Sequence, residues 1–293
     1  MPAGRQPGTM GRMTPQRHHP VVPDLSGVPE TMLWTLFQRA SEAARPDPVL
    51  EDPWAMELCR RLDYPFVARF GPAYGLLAQS IALRAAAFDG VVRAFLREFP
   101  YGTVVALGEG LETAFWRVDN GRVQWLTVDL PEPLRVRETL LPAEGRRRVL
   151  ACDARDPRWT GAVPPARPTL VTAQGLLMYL RPQEVRDLIA LCACSFPGGG
   201  LVFDAVPRWF AAGTRRGRLR TPSGYPAPEM PWGMNADQRA RLREADPRVA
   251  EVHAIPLPPG RGLVWGTLAP RLAARGPLSN RRPTVTLLRF TSR

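Results

Sequence analysis

The sequence predicts an α/β fold in which a mostly parallel sheet of seven strands follows an N-terminal helical region. Between residues 103 and 205, short apolar runs alternate with segments whose apolar residues recur at helical spacing. Strands that alternate with helices form parallel sheets covered by helices on both faces. Two further apolar runs near the C-terminus complete the seven strands, whereas the region before residue 100 shows helical periods.

The region 31–100 is predicted to form a helical cap. Its expected helices are delimited by apolar residues at three- and four-residue spacing and by prolines; they span 32–44, 53–62 and 73–99. Residues 1–30 precede the cap. Because their first twenty residues are rich in Gly, Pro and Arg and lack an apolar run, we interpret 1–30 as a disordered tail rather than a secretory signal.

Residues 101–293 are predicted to form the sheet domain. The expected strands are 103–107, 123–128, 148–151, 169–173, 201–205, 249–255 and 285–290, and the expected helices are 111–118, 132–141 and 182–194. A segment rich in Pro, Gly and Arg interrupts this alternation, and we interpret residues 208–234 as a loop or lid. Asn235 is a candidate N-cap for a helix that extends to Glu244.

Composition excludes several function classes. The net charge is +12, and all 39 basic residues are arginines. Since they are spread along the chain instead of clustering beside aromatic platforms, no nucleic-acid partner is expected. No apolar run approaches the roughly 18 residues of a membrane span, so no membrane association is expected. The four cysteines match neither a disulfide framework nor a zinc spacing, which predicts a reducing, cytoplasmic location and no metal.

Chemistry-bearing residues follow the predicted strands at their carboxyl ends, where open α/β sheets bind ligands. Gly108 and Gly110 follow the first strand, Asp129 the second and Asp153 the third. Glycine lets the backbone approach a ligand closely, and a carboxylate after the second strand can bind ribose hydroxyls. Each residue also has a structural explanation, as a turn glycine or a helix cap. In combination and in this order, they predict an adenosine site.

The identity of the adenosine cofactor follows from two missing features. The dinucleotide fingerprint requires a third glycine three residues after Gly110, but Thr113 stands there. A phosphate-binding Walker motif requires a lysine, and the sequence has none. S-adenosylmethionine, which has no pyrophosphate, needs the glycine turn alone, so it is the favoured cofactor.

Several segments resemble motifs of the leucine carboxyl methyltransferase family, and in particular of its bacterial branch of polyketide O-methyltransferases. Residues 104–113 resemble the family's LGxGLDT motif, 128–131 resemble VDLP, and 174–180 resemble EGLLMYL. Upstream matches to the family's N-terminal motifs comprise Arg39-Ala40 with Glu42, Asp52-Pro53 with Ala55, and Arg84 with Phe88-Asp89. The similarity extends in the same order from about residue 31 to residue 210.

The resemblance implies a class I S-adenosylmethionine (SAM) methyltransferase fold, which is Rossmann-like, and a set of site residues. Arg84, with Arg39, would bind the SAM carboxylate, because a guanidinium suits a bidentate contact. Gly108 and Gly110 would line the methionine and ribose. Asp129 would bind the ribose, and Asp153 the adenine.

The segment after the fourth strand supplies the expected catalytic residues. Tyr179 would lie near the methyl-transfer region, although core packing is an equally good explanation for it. Gln174 is expected beside the SAM amino group or the active centre, and it stands where the family usually has Glu. Similarly, Glu112 replaces the family's Asp.

The predicted function is therefore SAM-dependent O-methylation of a small molecule, a polyketide or other natural product of secondary metabolism, with S-adenosylhomocysteine as product. No obvious general base is present, since the histidines are His18, His19 and His253. This favours an anionic carboxylate acceptor over a hydroxyl, because a carboxylate needs no base. Arg215 and Arg216, in the predicted lid, are candidate substrate-binding residues, and a solvated loop is the alternative interpretation.

Three other functions remain open. An oxidoreductase linked to NAD uses a similar sheet. A SAM-fold protein without turnover would explain Gln174. A methyltransferase for protein C-terminal carboxylates would require an open groove.

Overall fold

The computed structural model describes residues 20–165, 167–221, 223–263, 266 and 280–292. Its centre is a seven-stranded sheet with the order β3-β2-β1-β4-β5-β7-β6. The strands are β1 (Thr103–Leu107), β2 (Gln124–Asp129), β3 (Arg147–Ala151), β4 (Thr169–Ala173), β5 (Gly200–Ala205), β6 (Val249–Ile255) and β7 (Thr284–Phe290). The pairings among β1 to β5 are parallel, whereas β7 runs antiparallel to β5 and β6. The predicted α/β class with a mostly parallel sheet of seven strands is confirmed.

Helices form the cap and cover both faces of the sheet. They are α1 (Thr31–Ala43), α2 (Pro53–Arg61), α3 (Phe66–Phe70), α4 (Gly75–Glu98), α5 (Ala114–Val118), α6 (Pro131–Leu140), α7 (Pro182–Ser195) and α8 (Arg208–Arg215). One apolar cluster joins α7 to one sheet face, and a second joins α4 and α5 to the other. Because both faces are covered, β1, β4 and β5 are buried along their whole length.

The cap is attached to the sheet domain by a third apolar cluster. Leu33 and Leu36 of α1 and Leu58 of α2 are fully buried there, together with Leu111 from the turn after β1. Among the described residues, α4 is long and apolar enough to cross a membrane, but 61% of its most apolar window is buried in the protein. It therefore packs as a core helix does.

Three expectations about local structure need correction. The predicted disordered tail 1–30 extends too far, because Val21 bonds to the backbone of Arg61 and Asp63 and Glu30 is buried; residues 1–19 lie outside the described residues. The helix expected from residue 111 begins at Ala114, since the preceding residues continue the glycine turn.

The predicted lid also differs from a continuous loop. Its first residues form helix α8, whose Ala211 is buried against Met178 and Met230. Local composition hid this helix, because the burial that stabilises it comes from distant residues. The helix expected after Asn235 exists as a 3-10 helix, Ala236–Ala245, with a capping box between Asn235 and Gln238.

Candidate cofactor and acceptor site

The turn after β1 depends on glycine for both its conformation and its packing. Gly108 and Gly110 have φ angles of +59° and +50°, a region that favours glycine. A Cβ on Gly108 would lie 2.9 Å from a Leu176 methyl carbon, and one on Gly110 would lie 2.9 Å from Met32 Cβ. The turn is thus held closely between α1 and the loop that follows β4.

Two buried arginines bind the carbonyl groups of this turn. Arg137 Nη1 donates to Gly110 O at 2.6 Å and to Glu112 O at 2.7 Å, and Arg39 Nη2 donates to Leu111 O at 2.8 Å. Arg137 is fully buried in α6. Its role was not anticipated, because an arginine within a helix ordinarily indicates a solvent-exposed face.

Asp129 lies directly beside the glycine turn, at the end of β2. Its Oδ2 accepts from Gly110 N at 2.7 Å, and its Oδ1 accepts from Leu130 N at 2.8 Å. Burial raises the pKa of Asp129, while these two backbone donors oppose that rise. The residue lines the cavity, where the family resemblance places a ribose.

Asp153 also lines the cavity, but another side chain of the protein binds its carboxylate. Arg155 donates to it at 2.9 Å through Nε and at 2.6 Å through Nη2, and Arg155 also contacts Glu184 at 2.8 Å. The hydrogen bond from Arg155 lowers the pKa of Asp153. The adenine contact expected at Asp153 therefore depends on the backbone of this residue and on the lone pairs of its carboxylate that Arg155 leaves free.

Arg84 of α4 is held in place by Asp204, at the end of β5. Arg84 Nη1 donates to Asp204 Oδ2 at 2.9 Å, and Gly175 N donates to Asp204 Oδ1 at 2.6 Å. The Nε of Arg84 is buried and has no hydrogen-bond partner among the described residues. Asp204 was not singled out from the sequence, although a carboxylate within an apolar strand at the binding edge is a usable signal.

Arg39 has a different environment from Arg84. Its Nε contacts Asp52 at 3.1 Å and its Nη1 contacts Glu112 at 3.1 Å, while Nη2 binds Leu111 O. All three nitrogens are therefore engaged within the protein. These contacts show how Arg39 fixes the turn. Arg39 also lines the cavity, and its expected contact with the SAM carboxylate stays a prediction.

Glu112 belongs to a buried ion network and also binds Gln174. Arg117 contacts Glu112 at 2.8 Å, Asp52 at 2.9 Å and Asp89 at 2.8 Å. Burial alone would raise the pKa of Glu112, but Arg39 and Arg117 lower it to about 2. Gln174 Nε2 donates to Glu112 Oε2 at 2.8 Å, so the amide of Gln174 lies against an ionised carboxylate.

Arg84, the glycine turn, Asp129, Asp153 and Gln174 line part of one cavity of about 1100 Å³. This volume is larger than the roughly 300–1,000 Å³ of typical small-molecule sites. We call the polar part of its lining the cofactor end; it comprises Arg84, the 108–112 turn, Asp129, Asp153, Gln174 and Asp204. We call the rest of the lining the acceptor end; it is mainly apolar and includes Met178, Tyr179, Trp209, Phe210, Met230, Arg239, Leu257 and Arg281. Burial raises the pKa of Tyr179, so its hydroxyl stays protonated at neutral pH.

The two arginines expected to bind substrate are not at the acceptor end. Arg215 and Arg216 are exposed at the end of α8, and neither lines the cavity. Arg239, which was not anticipated, lines it instead, and its Nε donates to Thr286 Oγ1 at 3.2 Å. His253 is exposed on β6 beside Glu251 and does not line the cavity. His18 and His19 lie outside the described residues.

Solved structures resemble this architecture. A crystal structure of a candidate methyltransferase from Thermobifida fusca superposes with a TM-score of 0.50 at 16% identity, covering 88% of this chain and 94% of that one. At this identity, the likeness establishes the fold, which is that of a class I SAM methyltransferase.

Sequence comparison identifies the family. The chain is 36% identical over 186 residues to the tetracenomycin polyketide synthesis O-methyltransferase TcmP of Streptomyces glaucescens, covering 63% of this chain and 68% of TcmP. It is 29% identical over 194 residues to the SAM-dependent methyltransferase dpfgK of Gibberella zeae, covering 60% and 64%. The chain thus spans about two thirds of the length of these curated relatives. The model of the leucine carboxyl methyltransferase family matches residues 32–193, and the chain belongs to this family of SAM-dependent methyltransferases.

Proposed function

We propose that the protein transfers the methyl group of SAM to an oxygen of a small molecule, a carboxylate or hydroxyl of a polyketide or other natural product. The observation that carries this proposal is one cavity whose lining combines the polar residues of the cofactor end with the mainly apolar side chains of the acceptor end. The similarity to TcmP supports an acceptor of polyketide type.

The cofactor end has the chemistry that SAM requires. Arg84, oriented by Asp204 and with its Nε unpartnered among the described residues, suits the carboxylate of the amino-acid portion. Asp129 and the glycine turn suit the ribose, and Asp153 with its neighbouring backbone suits the adenine edge. The amide of Gln174 has an oxygen available for the amino group, because its nitrogen is directed to Glu112. Bound SAM would supply an electrophilic methyl group on a sulfonium.

The acceptor end favours a group that is already ionised. Among the described residues that line it, none is a histidine, aspartate or glutamate. Tyr179 is protonated at neutral pH and would orient the acceptor as a hydrogen-bond donor rather than remove its proton. A carboxylate needs no base, and an apolar chamber strips water from it. These features support a carboxylate more strongly than a hydroxyl.

The cysteines support a reducing compartment. Cys59, Cys152, Cys192 and Cys194 are all free thiols. Free thiols are usual in the cytoplasm, where glutathione and thioredoxin keep them reduced. We therefore place the reaction in the cytoplasm.

Calorimetric titration with SAM and S-adenosylhomocysteine tests the cofactor end. We expect binding by the unmodified protein and at least a tenfold loss in Asp129→Ala, because two charge-assisted hydrogen bonds to the ribose disappear. Arg84→Met should weaken S-adenosylhomocysteine roughly 10- to 100-fold. It should leave 5′-methylthioadenosine, which lacks the amino-acid portion, nearly unchanged. The proposal would be overturned if the unmodified protein bound neither SAM nor S-adenosylhomocysteine.

A further inference from the structure

Arg239 is directed into the cavity by the periodicity of its helix. Side chains three residues apart in a 3-10 helix lie on the same face. Ala236 and Arg239 both line the cavity, and Leu242, the next residue in this series, is buried. Arg241, which lies between Arg239 and Leu242 in the sequence, is exposed and does not line the cavity. Arg239 is thus the member of this helix face that carries a charge to the acceptor end.

The position of Arg239 is separate from that of Arg84. Arg239 binds Thr286 of β7, which pairs with Phe203 of β5. Arg84 binds Asp204, the residue that follows Phe203 in β5. Successive side chains of a strand point to opposite faces of the sheet. The two guanidinium groups therefore approach the binding edge from different faces, and Arg84 is the one that we propose for the cofactor carboxylate.

Among the residues that the structure describes, no carboxylate neutralises Arg239. The acidic residues that line the cavity all lie at the cofactor end, where each is bound by an arginine or by backbone donors; they are Glu109, Glu112, Asp129, Asp153 and Asp204. Among the described residues, Arg239 has a hydroxyl partner but no salt bridge, and the remainder of the sequence contains no aspartate or glutamate. Burial lowers the pKa of Arg239, as expected for a cation without a compensating anion.

Arg239 lines a cavity whose other residues at the acceptor end are mainly apolar, and it makes no salt bridge among the described residues. Trp209, Phe210, Met230 and Leu257 give the acceptor end an apolar lining. A partly desolvated guanidinium is stabilised when an anion with hydrogen-bonding oxygens enters beside it. An acceptor with an apolar ring system and one carboxylate would satisfy both the lining and the charge.

We propose that Arg239 binds an anionic group of the acceptor and thereby determines which acceptors are used. This inference rests on the proposed function, since it assigns the acceptor's contact within the same cavity. Arg239 is a specificity-determining residue: it selects and orients the acceptor, and the methyl group transferred is supplied at the cofactor end.

Two probes that differ in charge test this role. Affinities of anthraquinone-2-carboxylate and anthraquinone-2-carboxamide are measured by calorimetry, with and without saturating S-adenosylhomocysteine. We expect the unmodified protein to prefer the carboxylate at least tenfold and Arg239→Met to bind both probes equally. Arg239→Lys should retain part of the preference, and the control Arg241→Met should retain all of it. Unchanged thermal unfolding and S-adenosylhomocysteine affinity would show that Arg239→Met is folded.

The outcomes separate this inference from the proposed function. A preference for the carboxylate that survives in Arg239→Met, or an unmodified protein without such a preference, overturns the role of Arg239. Failure of the unmodified protein to bind S-adenosylhomocysteine overturns the proposed methyltransferase activity instead. In that case, the titrations without nucleoside still decide whether Arg239 binds anions.

Discussion

At the cofactor end of the cavity, arginines are matched by carboxylates of the protein itself, whereas at the acceptor end Arg239 reaches a hydroxyl oxygen. Arg84 binds Asp204, Arg137 binds Glu109, and Arg39 binds both Asp52 and Glu112. The same residue type therefore has two uses. Arg39 and Arg137 fix the backbone of the glycine turn. Arg84, through its unpartnered Nε, and Arg239, which makes no salt bridge among the described residues, are available to ligands.

The paired arginines also join the cap to the glycine turn. Asp52 precedes α2 and Asp89 lies in α4, while Glu112 belongs to the turn after β1. Arg117 contacts all three carboxylates, so one guanidinium connects two cap elements to the cofactor end. A displacement of the cap would break these contacts, so the position of the cap is coupled to that of the glycine turn.

The largest expected effect comes from breaking this network. Arg117→Met would leave buried carboxylates without their shared cation, and the loss of one partner of a buried ion pair costs about 3–5 kcal/mol. We expect a decrease of that size in the free energy of unfolding, measured by urea denaturation at pH 7. Arg60→Met, which removes an exposed partner of Glu57, should change the stability little. Equal effects of the two substitutions would contradict the structural role of the network.

The pH dependence of this loss has a definite sign. The pKa of Glu112 is lowered in the folded state to about 2, so its stabilisation is complete above the unfolded value of about 4.3 and is lost as the pH falls towards 2. Arg117→Met removes part of this stabilisation. The stability difference between the variant and the unmodified protein should therefore narrow as the pH is lowered from 7 to 3.5.

A smaller effect on stability is expected from adding a negative charge to the cofactor end. Gln174→Glu would place a second carboxylate against Glu112, and this repulsion should raise the pKa of the new group. A rise of one or two units corresponds to roughly 1–3 kcal/mol of lost stability. The penalty is present above the raised pKa and disappears as the pH falls to the unfolded value, so it should be evident at pH 8 and small at pH 4.5.

An exposed amide–carboxylate pair provides the matched control for this substitution. Gln183 donates to Asp187 at 2.7 Å on the surface of α7. Gln183→Glu creates a like-charge pair one helical turn apart, which costs about 0.2–0.5 kcal/mol. If Gln174→Glu costs no more than this at pH 8, Arg39 and Arg117 neutralise both carboxylates, and the identity of residue 174 matters less than the contact suggests.

The cofactor end was largely predictable from sequence because its signals are local. The glycine turn and Asp129 follow directly from apolar runs that form strands, and the periodic spacing of α1 and α4 marks the cap. By contrast, the partner of Arg84 is 120 residues distant in sequence. Arg239 and Thr286 are 47 residues apart. A family motif singles out Arg84 but not its partner Asp204, and no local pattern distinguishes Arg239 from the many other arginines in the chain.

The acceptor end shows why charge density alone misleads. Arg215 and Arg216 are the substrate-binding candidates in the predicted lid, but α8 carries both to an exposed end of the helix, as the alternative of a solvated segment predicts. Whether an arginine meets a ligand depends on the helix face it occupies and on the partners that folding brings to it. Both are properties of tertiary structure.

The smallest expected effect is that of removing the exposed arginines Arg215 and Arg216. The double variant Arg215→Ala/Arg216→Ala loses charge outside the cavity, and Arg215 makes one long contact of 3.3 Å, to Pro231 O. We expect a change in unfolding free energy within about 0.5 kcal/mol. Affinity for S-adenosylhomocysteine and the preference for anthraquinone-2-carboxylate over its carboxamide should also be unchanged within twofold. A tenfold loss of that preference would show that exposed arginines attract the acceptor before it enters, and the contrast between the two ends would then extend beyond the cavity to the surface around α8.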